Sequence, residues 1–316
     1  MSSLIDVHSH FVTPEYIEAA TRAGHSRPEG MPQWAAWSVD EHLALMDDAG
    51  IQLSVLSISS PGVHFGDDVA ARKLAREVND YAAGLVRRHP TRFAHFGALP
   101  FPDVPGSLDE LTYVLDKLGS YGVGVLSNAH GVYLGDQRYE EVYAELDRRA
   151  ATVFVHPVSP PNWEVVSLGR PRPILEFIFD STRTASDLVL GGVLERFPGI
   201  NWVFSHSGGA LPVLAERIHL FRDLLQGPPA GRDVIDQLAH IWYDIAGTPF
   251  PNAAPALMRA FGDTRILYGS DYCWTPRAGA LAQAASVPPA WRTLTTRNAE
   301  RLFPQLRELD RLADPG

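Results

Sequence analysis

Short apolar runs recur along the chain and predict eight β-strands. Most of these runs are rich in Val, Ile, Leu or Phe, and Gly, Pro or polar residues bound them, which is typical of buried strands. The predicted strands are Leu4–Val7, Gln52–Ser59, Arg92–Leu99, Gly122–Ser127, Thr152–His156, Asn201–Ser205, Ile241–Ile245 and Arg265–Gly269.

Segments in which apolar residues recur with helical spacing lie between these strands. The predicted helices are Val39–Ala49, Asp68–His89, Leu108–Leu118, Tyr139–Arg149, Ser186–Arg196, Leu211–Leu225, Asn252–Phe261 and Asn298–Leu309. Strands that alternate with helices are typical of βα units around a parallel sheet. The hydrophobic pattern therefore predicts an α/β protein.

Eight βα units in a chain of this length predict a (β/α)8 TIM barrel that forms a single domain over residues 1–316. The alternative is an open doubly wound sheet, which would carry a glycine-rich phosphate loop after its first strand. That part of the chain instead reads IDVHSHF. Residues 11–38 and 157–173 form long first and fifth βα loops, and we expect both to project from the face of the barrel that carries active sites.

Composition and charge indicate which kinds of partner and which cellular compartment to expect. The formal net charge is -10, which argues against a nucleic-acid partner. No apolar run approaches the ~20 residues of a membrane span, and the first residues lack the pattern of a signal peptide. A single cysteine, Cys273, excludes an intrachain disulfide and fits a reducing compartment. We therefore expect a cytoplasmic protein with no membrane partner.

Two histidines at the end of the first strand are candidate metal ligands. His8 and His10 are two residues apart, so in a strand their side chains lie on one face. Neutral imidazoles are common ligands of divalent metals. Alone, the pair fits better with one histidine that caps the strand and one that is solvated.

Polar side chains at the ends of three further strands complete a candidate site. His156, His206 and Asp271 end the predicted fifth, sixth and eighth strands. In a barrel these ends meet at one face. His8, His10, His156 and Asp271 predict a divalent metal site with an open position, and His206 is either a further ligand or an acid/base beside it. Taken singly, His156 is equally well explained by strand-end packing and His206 by a capped turn.

The end of the fourth strand bears on the number of metals. A two-metal site in such a barrel needs a bridging group, and this end carries Ser127 and Asn128 with no Lys, Asp or Glu. We therefore expect one metal.

Weaker candidates surround this set. Trp34, Trp37 and Trp274 could form the wall of a pocket for an aromatic substrate. A second group has structural explanations that are at least as good, and it consists of Arg27, Arg183, Arg217, His64, His130 and Cys273.

The stretches DVHSHF, FVHP, FSHSGGALPVLAERI, YGSDY and NAERLF occur in this order and resemble the amidohydrolase superfamily. More narrowly, they resemble its metal-dependent decarboxylase branch, that of aminocarboxymuconate semialdehyde decarboxylase and γ-resorcylate decarboxylase. MDDAGIQLSVLSISSPGV and FDSTRTASDLVLGGVLERFPGI are most similar to the 6-methylsalicylate decarboxylase-like members. The resemblance covers nearly the whole chain.

This resemblance implies a barrel with one zinc or manganese ion held by the four predicted ligands, and His206 as the catalytic acid/base. It also implies that Arg217 reaches the active site of a neighbouring subunit, so that a homodimer is the functional form. Two departures stand out. Cys273 and Trp274 follow Tyr272 where the family often has proline, and the first-loop arginine of the aminocarboxymuconate enzymes has no clear counterpart other than Arg27.

The implied reaction is the nonoxidative decarboxylation of an ortho-hydroxybenzoate such as a 6-alkylsalicylate. A proton goes to the ring carbon that bears the carboxylate, from either Asp271 or His206. The alternative is hydrolysis of a lactone, ester or amide by metal-bound hydroxide with the same ligands. A noncatalytic scaffold, in which the ligands are dispensable, is a third hypothesis.

Overall fold

The computed structural model describes residues 3–227 and 231–306. Strands over these residues are β1 (Leu4–His10), β2 (Ile51–Ser57), β3 (Phe93–Ala98), β4 (Gly122–Leu126), β5 (Asn128–Ala129), β6 (Val132–Tyr133), β7 (Thr152–His156), β8 (Asn201–Phe204), β9 (Trp242–Asp244) and β10 (Ile266–Leu267).

The α-helices that follow these strands form the outer layer of the fold. They are α1 (Pro14–Arg22), α2 (Val39–Ala49), α3 (Asp68–Arg88), α4 (Val104–Asp116), α5 (Glu140–Arg148), α6 (Trp163–Val166), α7 (Glu176–Leu190), α8 (Val193–Arg196), α9 (Leu211–Gln226), α10 (Val234–Ala239), α11 (Ala254–Phe261), α12 (Arg277–Ser286) and α13 (Pro289–Leu302). None of the helices in the described ranges is long and apolar enough to cross a membrane.

Eight parallel strands form the barrel in the order β1-β2-β3-β4-β7-β8-β9-β10, and β5 and β6 form a separate antiparallel hairpin. The barrel closes between its first and last strands. The N–H of Val7 donates to the carbonyl of Tyr268 at 2.9 Å, and Asp6 accepts hydrogen bonds from the N–H and hydroxyl of Ser270 at 3.0 and 2.6 Å. The predicted (β/α)8 barrel is confirmed.

Apolar side chains fill both the interior of the barrel and the layer between strands and helices. The interior is closed by a small buried cluster in which Phe96 stacks on Phe154 at a centroid distance of 5.3 Å. A larger cluster lies between the sheet and the helices. Because the interior below is packed, a ligand can only reach the upper ends of the strands.

Several predicted helix boundaries were wrong. The predicted helix Ser186–Arg196 is the end of α7 and the separate short α8, because the chain turns at Gly191 and Gly192, where Gly192 has φ +69°. The helix predicted from Leu108 begins at Val104, since the side chain of Asp103 accepts the N–H of Gly106 and caps it.

The last predicted helix, Asn298–Leu309, overlaps only the end of α13, which begins at Pro289; its last three residues lie outside the described ranges. Proline at the first turn starts this helix, whose polar sequence has little apolar periodicity. Helices α1, α6, α10 and α12 were not predicted.

The two long loops predicted on the upper face meet above the barrel. The first carries a turn at Pro28–Gly30, and the fifth carries α6 and the turn Arg172–Ile174. A Cβ on Gly30 would clash with Nη1 of Arg172, so the loops are in close contact. They cover the ends of the strands that carry the candidate site.

Candidate metal centre and active site

The ends of β1, β7 and β10 bring the four predicted ligands together. One ligand atom each from His8, His10, His156 and Asp271 lies within 4.8 Å of all the others. Nε2 of His8 is 3.0 Å from Nε2 of His10, and Oδ1 of Asp271 is 3.4 and 3.3 Å from these two atoms. The three histidines are buried, and the side chain of Asp271 is 19% exposed. Among the described residues this is the one group of three or more such side chains that converges.

Each histidine is oriented through its Nδ1 atom, so that Nε2 points to the common centre. Nδ1–H of His8 donates to Oδ2 of Asp244 at 2.8 Å, and that of His156 donates to the carbonyl of Pro157 at 2.7 Å. Nδ1–H of His10 donates to the hydroxyl of Ser57 at 3.0 Å. Hydrogen bonds of this kind fix the tautomer and the ring orientation of histidines that bind metals.

Asp244, at the end of β9, was missed in the sequence analysis. It is buried, and its Oδ1 accepts the N–H groups of His206 and Ala246 at 3.0 and 2.9 Å. The signal was present, because Asp244 lies near the end of a predicted strand, as the five strand-end candidates His8, His10, His156, His206 and Asp271 do. Its carboxylate faces the far side of the His8 ring, a relationship that only the closed barrel creates.

The electrostatics of the centre favour a cation. Burial lowers the pKa of His8, but Asp244 and Asp271 outweigh that effect and raise it to about 10. Burial alone would raise the pKa of Asp271, yet hydrogen bonds from His10, His206 and His8 bring it well below its usual range. Burial and the neighbouring histidines keep the pKa of His156 well below its usual range, so its ring is neutral. A divalent metal fits this donor set, since it supplies the positive charge in place of the proton on His8.

His206 lies beside the four ligand candidates but is oriented differently. Its Nε2 is 3.5 Å from Oδ2 of Asp271, and its Nδ1 is 3.1 Å from the hydroxyl of Ser205. Both His206 and Asp271 adopt the left-handed backbone conformation, with φ +54° and +55°. Non-glycine residues rarely hold this conformation, and strain of this kind is concentrated at functional sites.

A cavity of about 500 Å³ opens above the centre. Its volume is within the range of small-molecule sites. His156, His206 and Asp271 line it from the strand ends, and the first and fifth loops and the loop after β10 form the walls. The apolar lining side chains include Met31, Ile174, Phe177, Ile178 and Trp274. The described lining contains no lysine or arginine.

Of the three tryptophans predicted to form an aromatic wall, one lines the cavity. Trp274 lines the cavity, whereas Trp34 stands behind it, with its ring centroid 5.8 Å from that of Trp274. Trp37 is farther away, and its indole N–H donates to Nδ1 of His42 at 3.0 Å. Neither Trp34 nor Trp37 lines the cavity, so a role in substrate binding stays a prediction for both.

Arg217 lies on the exposed surface of α9, with its guanidinium carbon 4.6 Å from the centroid of the Phe221 ring. It does not line the cavity of its own chain, so any contact with substrate requires a second subunit. Arg183 pairs with the buried Asp180 at 2.8 Å, which is a structural role.

His64 and His130 do not reach the metal centre; they contact each other at 2.9 Å in a second cavity. Cys273 is buried, and burial raises the pKa of its thiol to about 12, so it is not an activated thiolate.

Comparison with known proteins agrees with this geometry. The chain matches the family model described as amidohydrolase over residues 5–305. It is 34% identical to decarboxylase yanB of Aspergillus niger over 86% of this chain and 77% of that protein, and 31% identical to 6-methylsalicylic acid decarboxylase acuB of Aspergillus aculeatus over 97% of each chain.

Solved structures give the same result for the fold. A crystal structure described as an amidohydrolase II superposes with a TM-score of 0.89 at 31% identity and covers 96% of this chain and all of that one. A 2,6-dihydroxybenzoate decarboxylase superposes with a TM-score of 0.83 at 24% identity, with the same coverage. With the barrel and the converging histidines and aspartate, these matches lead to one conclusion: the chain belongs to the amidohydrolase family.

Proposed function

We propose that the protein is a metal-dependent decarboxylase that acts on an ortho-hydroxybenzoate of the 6-methylsalicylate type. The observation that carries the proposal is the group of His8, His10, His156 and Asp271 at the floor of a mainly apolar cavity. The two relatives described above, yanB and acuB, are named decarboxylases, and acuB is named for 6-methylsalicylic acid. Those names favour decarboxylation over hydrolysis, although the same ligands would serve either reaction.

These four residues are the proposed ligands of one divalent ion, zinc in the first instance and manganese as the alternative. Their three imidazoles and one carboxylate suit zinc. Manganese remains a candidate because two neighbouring decarboxylase structures, described for dihydroxybenzoic acid and 5-carboxyvanillate, contain manganese. When bound, the ion would supply positive charge and a template for the carboxylate and ortho hydroxyl of the substrate.

His206 is the proposed proton donor. The reaction adds a proton to the ring carbon that bears the carboxylate, breaks the bond from that carbon to the carboxylate, releases CO2 and restores the aromatic ring. Asp271 is the other candidate, but as a proposed metal ligand it would act as a carboxylate, which has no proton to donate. His206 faces the cavity with 13% of its side chain exposed and approaches Asp271 at 3.5 Å, so its proton can be held next to the ligand.

Apolar side chains orient the aromatic ring and exclude water. Phe177 and Trp274 offer faces and edges for an aromatic ring, and Trp34 supports Trp274 from behind. The described lining has no lysine or arginine, so apart from a protonated His206 the carboxylate must find its positive partner at the metal centre or on another subunit. We therefore expect the metal centre to bind the substrate carboxylate directly.

A homodimer is the proposed functional form. Large apolar side chains are exposed on the fifth loop, on α7 and on α9, which packs against α7. They include Val165, Leu168, Ile174, Leu175, Phe179, Val213, Leu220, Phe221, Leu224 and Leu225. Arg217 lies on α9 between Val213 and Leu220, on the same face of the helix. A second copy that covers this patch would carry Arg217 toward the partner's cavity, where it can meet an acidic substrate.

The test is mass spectrometry of metal-quantified protein incubated with 6-methylsalicylate, 2,6-dihydroxybenzoate and salicylate, with and without a chelator. We expect loss of CO2 from at least one of them, abolished by the chelator and restored by added metal. Benzoate, which lacks the ortho hydroxyl, is the control and should not react. Protein that holds metal but decarboxylates none of the panel would contradict the proposal and turn the search to lactones and esters.

A further inference from the structure

A second cavity, larger than the one above the metal centre, lies on the same face of the barrel. Its volume is about 780 Å³, and we call it the outer chamber. Its floor is apolar, because it lies on the ends of β2, β3 and β4 and is lined there by Ile58, Val63, Leu99, Phe101 and Leu126. Glu29 lines both cavities, so the two are neighbours on either side of this side chain.

Arg172 is the distinctive polar group of the outer chamber. Its side chain is only 12% exposed, and its guanidinium carbon lies 4.0 Å from the centroid of the Trp163 ring. Nε donates to the hydroxyl of Ser159 at 2.9 Å and lies 3.7 Å from Oε2 of Glu29. Within the described ranges, Nη1 and Nη2 have no hydrogen-bond partner.

This is an arrangement suited to a carboxylate. A stacked guanidinium is held in a fixed plane, and its two terminal nitrogens present parallel N–H donors that match the two oxygens of a carboxylate. Oε2 of Glu29 and the hydroxyl of Ser159 approach Arg172 at Nε, so the hydrogen-bond donors of the two terminal nitrogens are not used within the described ranges. Because both terminal nitrogens are accessible from the outer chamber and have no hydrogen-bond partner in the described ranges, they are available to a ligand there.

The charge at the rim of the outer chamber also favours an anionic ligand. Arg27 and Arg170 also line the outer chamber, are exposed, and form no ion pair among the residues described. Glu29 and Glu164 are the acidic side chains of the lining. Three arginines against two glutamates give a locally positive chamber on a chain whose formal net charge is -10. Such a chamber attracts small anions from solution.

We propose that the outer chamber is a second binding site, separate from the metal centre, for an aromatic monocarboxylate. The carboxylate pairs with Nη1 and Nη2 of Arg172, with Arg170 near the rim, and the ring lies on the apolar floor beside Phe101. Binding in the outer chamber requires neither catalytic turnover nor any of the proposed metal ligands. It places an acid of the substrate's chemical class next to the metal cavity, with Glu29 between the two.

The test is isothermal titration of the metal-loaded full-length protein with benzoate, in the wild type, Arg172→Gln and Arg259→Gln. Arg259 is an exposed arginine of α11 outside the chamber lining, and it serves as the matched control. We expect two benzoate sites in the wild type and in Arg259→Gln, and one in Arg172→Gln, where affinity at the lost site falls at least about tenfold. Benzyl alcohol, which has the ring without the charge, should not occupy the Arg172 site.

Arg170→Gln is the second variant, in case Arg172→Gln unfolds, because Arg170 is exposed and its loss does not disturb packing. It should weaken the same site severalfold. One site in the wild type and none in Arg172→Gln would mean that benzoate, which lacks the ortho hydroxyl, does not bind at the metal centre, and this result would still support the outer chamber. Identical site number and affinity in the wild type, Arg172→Gln and Arg170→Gln would overturn the inference.

Discussion

Asp244 and His8 are joined by a hydrogen bond of 2.8 Å between Oδ2 and Nδ1, and both residues are buried at the ends of strands β9 and β1. The other oxygen of Asp244 accepts the backbone N–H of His206 at 3.0 Å. One carboxylate therefore orients a proposed metal ligand and the proposed proton donor together. His8 is 236 residues away in sequence, so the barrel alone creates this relationship.

The first prediction concerns this carboxylate. Asp244→Asn keeps the size of the side chain but removes its charge and weakens its hold on Nδ1–H of His8, so metal affinity should fall by about 10- to 100-fold. Competition with a fluorescent zinc chelator measures this. Asp187→Asn, which changes a partly buried aspartate that accepts the N–H of Gly135, is the control and should leave affinity unchanged. Equal affinities in the two variants would refute the orienting role.

A second prediction follows from the close approach of Gly269 to the centre. A Cβ at this position would lie 2.6 Å from Cβ of His8 and 3.2 Å from Cγ of Asp244. Gly269→Ala should therefore displace His8 and reduce both metal content and thermal stability. Gly119→Ala provides a comparison, because no heavy atom lies within 4 Å of the added Cβ, although its φ of +67° makes that change mildly strained. Metal content by elemental analysis should fall only in Gly269→Ala.

A third prediction separates proton transfer from metal binding. His206→Asn should keep the metal, because His206 is outside the group of four ligand candidates, and should lose about 10²- to 10⁴-fold in kcat. Steady-state kinetics together with metal analysis test both parts. His240→Asn, a change at an exposed histidine after α10, should retain full activity. A His206→Asn variant that turns over normally with its metal bound would remove His206 from the mechanism.

The proposed dimer makes a prediction about mixed subunits. If Arg217 serves the partner's cavity, Arg217→Ala and His206→Asn proteins should each be inactive, but a mixed dimer contains one intact site. Random mixing after mild denaturation should restore about one quarter of the wild-type activity. An Arg217 that acts within its own chain would give no recovery, because both sites of the mixed dimer would lack one residue. Analytical ultracentrifugation checks that dimers form.

A fifth prediction concerns stability in acid. Burial lowers the pKa of His42 to about 3, and its Nδ1 accepts the indole N–H of Trp37, so the folded state requires the neutral ring. The unfolded chain takes up this proton below a pKa of about 6.5, so the stabilisation is complete above that pH and declines as the pH falls toward 3. Between pH 7.5 and 5 this group should lower the free energy of unfolding by about 2 kcal/mol.

Urea denaturation at the two pH values tests this prediction. His42→Gln cannot take up a proton, so it should show a smaller loss of stability between pH 7.5 and 5 than the wild type, whatever its stability at neutral pH. His89→Gln, at the C-terminal cap of α3, is the control histidine. A pH dependence that is the same in the wild type and in His42→Gln would contradict the assignment.

The sequence by itself determined the type of fold and the group of proposed ligands. Parallel strands end at one face of a barrel, so strand-end positions of His8, His10, His156, His206 and Asp271 were enough to predict that they meet. This works because the alternation of strands and helices is local information, carried by residues a few positions apart. Helix ends were less predictable: α4 depends on the cap at Asp103, and α7 ends at a glycine pair within an apolar segment.

Only the tertiary structure decided what surrounds those ligands. The contact of Asp244 with His8, the position of Trp34 behind Trp274 and the meeting of Glu29 with Arg172 all join segments far apart in sequence. Their distances depend on barrel closure and on how two long loops pack against each other, and neither leaves a periodic pattern in the chain. The exposed Arg217 and the partly buried, stacked Arg172 look alike in the sequence, and only folding distinguishes their surroundings.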